Sequence, residues 1–280
     1  MLRIKNLERH LASSQEHNEV AIVVGVGARD GLGGAVTVRL AKEGFHVVAL
    51  GRSVDKLEAI QKIVLEEGGS CTVFQLSSIS ASDAFSTSEI DREKMENEVI
   101  KAFDLAESLG SVRLVVQNQG PNMFPPTGMD MRDMEVSFVQ FMWDVNMLIS
   151  FLVGREAARR MIPEDEEDNE DFKSRGTVLF TGATGSIRGK PPFVAFAQAK
   201  AGVRMLAQSM AREYGPKGLH VVHLIVDGVV NGNRVNSLLE VEDLKGVNVD
   251  AYANQVVSLH KQHPSAWSHE TELRPYAETW

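Results

Sequence analysis

A chain of 280 residues with 43% hydrophobic and 24% charged residues has an ordinary globular composition, which argues against a disordered or fibrous protein. Its formal charge of −9 without a basic stripe argues against a nucleic-acid partner, and no apolar run approaches the roughly 18 residues that would cross a membrane. A single cysteine, Cys71, allows no disulfide within the chain and predicts a reducing, cytoplasmic location.

The chain begins with an N-terminal extension, residues 1–18, and the predicted domain follows at residues 19–280. The leucines of the extension have helical spacing, so we expect an additional surface helix there. An organelle-targeting segment is the alternative, but the acidic Glu8 and Glu16 and the lack of an apolar signal core count against it.

From residue 19, short apolar runs alternate with longer segments of helical period, which is typical of a parallel sheet covered on both faces. The predicted strands are 19–26, 46–51, 71–76, 112–118, 177–182 and 219–226, with a last short strand from 269–275. The predicted helices are 31–44, 54–67, 91–109, 132–161 and 194–214. We therefore expect an α/β fold: a single domain with a Rossmann-type, doubly wound parallel sheet. A serine-rich segment, 77–89, and an acidic run, 163–171, are expected to be surface loops.

The first strand leads into a glycine-rich loop, 25-GVGARDGLGGAV-36, and then a helix, where a sheet of this type binds a dinucleotide. The G-x-G-x-x-G spacing fails because Asp30 stands where the third glycine is required. A G-x-x-x-G-x-G spacing fits instead, with Leu32 between the last two of its glycines, which are Gly27, Gly31 and Gly33. Glycines let the backbone approach the pyrophosphate, and the amides of the following helix donate to it. A structural strand-to-helix turn would explain one or two of these glycines, but not three at this spacing.

The end of the second strand predicts which dinucleotide binds. An NAD-dependent enzyme usually has a carboxylate there, but this chain reads 49-ALGRS-53. Arg52 can pair with a 2′-phosphate through two hydrogen bonds, and Arg29 in the glycine loop supplies a second cation. We therefore expect NADP(H) rather than NAD(H). The alternative is that one or both arginines face solvent.

Four motifs in the correct order make the chain resemble a short-chain dehydrogenase/reductase over about residues 19–230. The glycine loop resembles the family's T-G-x-x-x-G-x-G, with Val26 in place of threonine. The segment 117-QNQG-120 resembles N-N-A-G, 144-DVNM-147 resembles the asparagine motif of the fourth helix, and 227-DG-228 replaces the P-G after the sixth strand. Beyond the glycine loop and the two arginines, the resemblance implies cofactor contacts at Asn118, Gly120, Lys200, Gly228 and Val229.

The catalytic window departs from the family pattern. The family's Y-x-x-x-K is here 196-FAQAK-200, so Lys200 matches and Phe196 replaces the tyrosine. The resemblance implies that Lys200 binds the cofactor ribose and, with Asn146, holds a water for catalysis. The alternative for Lys200 is a surface lysine on an amphipathic helix. Phenylalanine cannot donate a proton, and a positioned acid is typically worth about 10²–10⁴ in rate, so ordinary ketone reduction is not expected.

The family's catalytic serine is also missing, because its position falls on Gly182 or Ala183. Nearby hydroxyls that could orient a substrate oxygen belong to Thr181, Thr184 and Ser186. A replacement acid is Asp227, at the mouth of the sixth strand, where burial could raise the pKa of its carboxyl group; the alternative is a turn-capping aspartate before Gly228. Weaker candidates without a supporting spacing are Tyr214, Tyr252, Tyr276, His220 and His223.

Two functions from different classes follow from the resemblance and its gaps. The first is an NADP(H)-dependent oxidoreductase with a remodelled active site that acts on a small molecule. The second is a catalytically silent NADP(H)-binding module that serves as a sensor or partner subunit. The resemblance also implies a homodimer or homotetramer formed through the helices at 132–161 and 194–214. No metal site is expected, because the histidines show no metal-ligand spacing.

Overall fold

A computed structural model describes residues 19–79, 90–120, 130–163, 174–191, 193–232 and 245–278. The N-terminal extension at 1–18, most of the serine-rich segment and most of the acidic run lie outside the described residues. What the sequence predicts for those three segments therefore stays a prediction.

The described strands are β1 Glu19–Val24, β2 His46–Gly51, β3 Ser70–Gln75, β4 Ser111–Gln117, β5 Gly176–Ala183, β6 Leu219–Val226, β7 Val230–Asn231, β8 Val247–Asn248 and β9 Glu270–Leu273. Seven of them form one sheet in the order β3-β2-β1-β4-β5-β6-β9, and every neighbouring pair is parallel. The predicted Rossmann-type, doubly wound parallel sheet is confirmed. β7 and β8 form a separate short pair between β6 and the last helix.

The described α-helices are α1 Leu32–Lys42, α2 Val54–Glu66, α3 Arg92–Leu109, α4 Val136–Trp143, α5 Ile149–Met161, α6 Val194–Tyr214 and α7 Val249–His260. Successive residues of a strand point to opposite faces of the sheet, so β1 contributes side chains to two hydrophobic cores, one on each face. Val20 and Ile22 pack toward α3, α5 and α6, while Ala21 and Val23 pack toward α1, α2 and α7. Because both faces are covered, the central strands are apolar at nearly every position, and all residues of β6 are buried.

The helix predicted over 132–161 is interrupted. A 3₁₀ turn, Met131–Asp133, precedes α4, and a π-helical turn, Asp144–Leu148, separates α4 from α5. Asn146 Nδ2 donates to the Met142 carbonyl at 2.8 Å, and the Ser150 hydroxyl donates to the Asn146 carbonyl. Side-chain groups thus take over carbonyls that would otherwise accept regular helical bonds, which is how a π turn is accommodated. The interruption matters because Asn146 is a predicted site residue.

The helix α7 is not among the helices predicted from the sequence. Asn248 caps its first turn by accepting hydrogen bonds from the amides of Asp250 and Ala251, both at 2.9 Å. Its buried face repeats every three or four residues and consists of Val249, Tyr252, Ala253 and Val256. This capping residue and this spacing together were the available signal for a helix.

Together α4, the π turn and α5 form a helical stretch, Val136–Met161, that is long and apolar enough to span a bilayer by length and composition, although no apolar run of that length was expected from the sequence. Half of its most apolar window is buried inside the fold. Val145, Ile149 and Val153 pack in the core beneath the sheet, as they would in the core helix of a globular domain.

Candidate functional site

The predicted site residues lie at the carboxyl edge of the sheet, where β1, β4, β5 and β6 end. The glycine loop follows β1, Asn118 follows β4, and Asp227 follows β6. Since all these strands are parallel, their carboxyl ends meet at one edge, which is where open α/β sheets bind their ligands. Residues that lie far apart in the sequence are thereby brought to one edge of the sheet.

The glycine loop has two kinds of glycine. A Cβ on Gly33 would lie under 3.0 Å from the Gly25 carbonyl oxygen, and one on Gly34 would lie under 3.0 Å from that of Ala28. These two glycines let α1 pack directly against the loop. A Cβ on Gly27 would instead meet nothing within 4 Å. Gly34 was not singled out from the sequence, although it stands in the same run.

The start of α1 fits a pyrophosphate. Gly31 is its N-cap and has no side chain to accept from the first amides of the helix, so no side-chain cap occupies them. The partial positive charge of a helix N-terminus favours an anion at this position. The open space at Gly27 lies on the same loop, so the residues present fit a dinucleotide.

The end of β2 is held beneath the glycine loop. The amides of Gly25 and Val26 donate to the Leu50 carbonyl at 2.9 and 2.8 Å, and a Cβ on Gly51 would clash with the Val26 carbonyl. This contact places Arg52 at the rim of the loop, where its own carbonyl accepts from Gln75 Nε2 at 3.2 Å. Arg29, the second predicted cation, forms an ion pair with Asp250 at 2.9 Å.

Asn118 fixes the end of β4 to the end of β1. Its backbone N–H donates to the Val24 carbonyl at 2.9 Å, and its side-chain Nδ2 donates to the Gly25 carbonyl at 3.4 Å. Gly120 follows and borders two of the predicted catalytic side chains, because a Cβ there would lie 3.9 Å from both Asn146 Oδ1 and Lys200 Nζ.

Lys200 and Asn146 therefore both border Gly120. Lys200 is only 5% exposed, its Nζ donates to the Thr181 carbonyl at 3.1 Å, and burial lowers the pKa of its amine to about 8. Asn146 is fully buried, and within the described residues its Oδ1 has no hydrogen-bond partner. A buried acceptor without a partner costs about 1–3 kcal/mol, which a bound water or ligand at this point would recover.

Comparison with known proteins identifies the family. The family model for short chain dehydrogenases matches residues 19–242. The chain belongs to the short-chain dehydrogenase/reductase family. The 3beta-hydroxysteroid dehydrogenase 1 of Eggerthella lenta is 30% identical over 211 residues, which cover 75% of this chain and 70% of that protein.

Solved structures agree with this assignment. The chain is similar to a short-chain dehydrogenase from Rhodopseudomonas palustris, with 31% identity and a TM-score of 0.69 over 92% of this chain and 99% of that one. A metagenomic short-chain oxidoreductase in complex with NADP shares the fold, with 19% identity and a TM-score of 0.67 over 92% and 97% of the two chains. By family, the chain is an oxidoreductase of the short-chain dehydrogenase/reductase type, and such proteins bind a nicotinamide cofactor.

Phe196 stands one helical turn before Lys200 on α6, where the family's tyrosine is expected. The centroid of its ring lies 5.9 Å from Lys200 Nζ. The ring packs with an apolar cluster that includes Phe138, Met142 and Ala195, and a Cβ on Gly185 would lie 3.2 Å from its Cδ1. The side chain next to the lysine is thus an aromatic ring held by packing on several sides.

The hydroxyls beside the family's serine position have separate partners. Thr181 Oγ1 and Tyr252 Oη lie 2.6 Å apart on the α7 face of the sheet, and Thr184 donates to Asp227 Oδ1 at 2.5 Å. Ser186 Oγ accepts from the Ala183 amide at 3.1 Å and keeps its own proton to donate. A Cβ on Gly182 would lie under 3.0 Å from His223 Nε2, so an imidazole from β6 fills the space beside this position.

Asp227 has a different environment from the one expected of a replacement acid. It is 1% exposed and accepts hydrogen bonds from Arg188 and Arg274 as well as from Thr184. The two guanidinium groups and this carboxylate form an ion-paired link between the loop after β5 and the C-terminal segment.

The segment after Asp227 is constrained on both sides. Gly228 has a φ of 143°, and a Cβ there would lie 2.8 Å from Pro275 Cδ. The carbonyl of Val229 accepts from the Val247 amide at 2.7 Å. Gly228 is therefore required by the backbone conformation and by this close approach.

Four of the five weaker candidates are engaged with other groups or exposed. Tyr252 is fully buried on the other face of the sheet, where burial raises the pKa of its phenol, and Tyr276 is exposed. His220 stacks on Trp267 with ring centroids 4.8 Å apart. Burial lowers the pKa of His223 to about 4, and its Nδ1 lies 2.9 Å from Glu270 Oε2.

Proposed function

We propose that this protein is an NADP(H)-dependent oxidoreductase of the short-chain dehydrogenase/reductase type with a remodelled active site. The observation that carries the proposal is the convergence of Lys200 Nζ and Asn146 Oδ1 beside Gly120. A cationic donor and an unsatisfied acceptor at one buried point are what a proton-delivering water requires. Phe196 then stands where the family has its tyrosine.

The glycine loop and Arg52 support the cofactor. Gly27 leaves open space, α1 begins without a side-chain cap, and the chain has no carboxylate after β2 where an NAD-dependent enzyme would have one. Arg52 there favours a 2′-phosphate, and a neighbour with the same fold binds NADP. When bound, the reduced cofactor supplies the hydride.

Lys200 and Asn146 supply the remaining chemistry. As the substrate carbonyl carbon gains the hydride, its oxygen becomes negative and needs a proton. The Lys200 ammonium stabilises that charge, and a water held between Lys200 Nζ and Asn146 Oδ1 gives up the proton. A pKa of about 8 lets Lys200 exchange protons near neutral pH, so the lysine can return a proton to the hydroxide that the water leaves behind.

The Arg52→Ala variant is expected to weaken NADPH binding by about 10- to 100-fold and to leave NADH binding nearly unchanged, because only the 2′-phosphate contact is lost. Cofactor fluorescence on titration measures both affinities. Arg159→Ala, which removes an exposed arginine paired with Glu156 near the end of α5, is the matched control. Equal affinity of the wild type for both cofactors would refute NADP(H) selectivity, and binding of neither would refute the proposal.

A silent NADP(H)-binding module is the second candidate, favoured by the packing of Phe196 in its apolar cluster. Phe196→Tyr separates the two. A phenol beside Lys200 is expected to raise the rate of NADPH-dependent carbonyl reduction by about 10² if the rest of the site is competent. Consumption of NADPH with a panel of ketones is measured, with Phe74→Tyr, a half-buried ring on the edge strand β3, as control. No turnover by either wild type or Phe196→Tyr would favour the silent module.

The partner that we propose is a second copy of this chain. Large apolar side chains are exposed on consecutive helices at Trp143, Phe151 and Met205. These helices are the ones through which the resemblance implies a homodimer or homotetramer, and a monomeric mass in solution would refute it.

A further inference from the structure

Arg29, the cation of the glycine loop, is already bound to a carboxylate. Its Nη2 lies 2.9 Å from Asp250 Oδ1, and the two side chains are 39% and 61% exposed. The residues are 221 positions apart in the chain, so this ion pair links the glycine loop to the first turn of α7. A phosphate that binds Arg29 must therefore share the guanidinium with Asp250 or displace it.

Asp250 is held in place without Arg29. Asn248 caps α7, and the buried face of this helix packs with α1 in the core. Two further links join α1 to α7: Arg39 donates to Asn254, and Lys261 Nζ lies 2.5 Å from Glu43 Oε2. None of these links involves Arg29, so the position of α7 on α1 does not depend on the Arg29–Asp250 ion pair, and the backbone of Asp250 is held beside the loop by the helix.

The segment that leads into α7 also touches the glycine loop. A Cβ on Gly232 would lie under 3.0 Å from the Asp30 carbonyl oxygen. Asp30 and Arg29 are consecutive, so two adjacent loop residues contact parts of the chain that follow β6: Gly232 after β7 and Asp250 in the first turn of α7. The negative charge of Asp250 is consequently within reach of the loop that receives the cofactor phosphates.

We propose that Asp250 is a specificity-determining residue. It competes with the 2′-phosphate of NADP(H) for Arg29 and so lowers the affinity of the glycine loop for NADP(H). This inference rests on the proposed function. Exposed arginine–carboxylate pairs are weak and exchange readily, whereas a phosphate dianion carries more charge and binds a guanidinium more strongly. Arg29 therefore leaves Asp250 and binds the phosphate when the cofactor is present. Breaking the Arg29–Asp250 ion pair lowers the net binding free energy of the cofactor.

The test is a titration of NADPH and NADH into the wild type, Asp250→Asn, Arg29→Ala and the double variant. Asp250→Asn is expected to tighten NADPH binding by about two- to tenfold and NADH binding by less. Arg29→Ala is expected to weaken NADPH binding and to remove the gain from Asp250→Asn, because both substitutions act on the same pair. Should Asp250→Asn not fold, Asp250→Ser removes the same charge and serves in its place.

The matched control is Asp104→Asn. Asp104 pairs with Arg160 at 2.7 Å, with exposures of 56% and 23%, near the end of α3 that leads into β4. It loses the same charge at the opposite edge of the sheet and is expected to leave both affinities unchanged. NADPH-selective binding without a gain in Asp250→Asn would overturn this inference and leave the proposed function standing, as would a gain that persists in Arg29→Ala. Binding of neither cofactor to the wild type would overturn both.

Discussion

Gly33→Ala is expected to weaken NADPH binding by about two orders of magnitude or more and to lower the free energy of unfolding by about 1–3 kcal/mol. The added Cβ would lie under 3.0 Å from the Gly25 carbonyl oxygen, and the backbone carbon of Gly25 and Cα of Val26 would also be close. Backbone atoms cannot move aside as a flexible side chain can. The start of α1 must therefore shift away from the loop, and the amides that face the pyrophosphate shift with it.

Urea unfolding and fluorescence titration measure these two effects separately. Gly27→Ala is the informative counterpart, because the added Cβ has no protein atom within 4 Å. This substitution should leave the free energy of unfolding nearly unchanged. It should still weaken cofactor binding, since the Cβ would project into the space that the pyrophosphate needs. Gly215→Ala, in open space with a helical backbone, controls for loss of glycine itself. A Gly33→Ala variant with wild-type stability would contradict the close packing described for α1.

Lys200→Met is expected to abolish turnover and to stabilise the protein at neutral pH. Burial lowers the pKa of Lys200 from 10.5 to about 8, and each pKa unit corresponds to about 1.4 kcal/mol, so holding the ammonium inside the fold at pH 7 costs about 3 kcal/mol. Methionine fills a similar volume without that cost, but loses the hydrogen bond to the Thr181 carbonyl, worth about 1 kcal/mol. A net gain of roughly 2 kcal/mol remains.

The stability difference between Lys200→Met and the wild type depends on pH. Between pH 8 and about 10.5 the unfolded chain binds a proton at Lys200 and the folded protein does not, so the wild type becomes more stable as the pH rises through this window. Lys200→Met lacks this dependence, and its advantage should shrink toward pH 10.5. Denaturant unfolding of both proteins across the window measures the difference. Lys200→Arg is the comparison that keeps a charge, and a constant stability difference across the window would contradict the buried ammonium.

The strands and the glycine loop were predictable because their causes are local. A strand buried on both faces must be apolar at nearly every position, so β1 and β6 are visible as short apolar runs. The spacing of Gly27, Gly31 and Gly33 similarly reflects a turn made by residues adjacent in the chain. The predicted family resemblance followed from these local motifs and is confirmed.

The partners of the site residues were not predictable, because they come from distant parts of the chain. Asp227 was expected as an acid because its position in the sequence places it at the mouth of a strand. Its environment depends on Arg274, 47 residues further on, and on Arg188 in another loop. Nothing in the local sequence around Asp227 reports two guanidinium groups.

Residue type and short-range spacing were enough to predict the parallel α/β sheet and the glycine-rich loop after β1, and the sequence shows a phenylalanine at position 196. The folded chain was needed to see Lys200 and Asn146 beside Gly120, the ion pairing of Asp227 and the pairing of Arg29 with Asp250. Local sequence could not predict these contacts, because burial, charge and hydrogen bonding depend on which elements pack together. That packing is fixed by strand order and helix placement, which bring together residues that lie far apart in the chain.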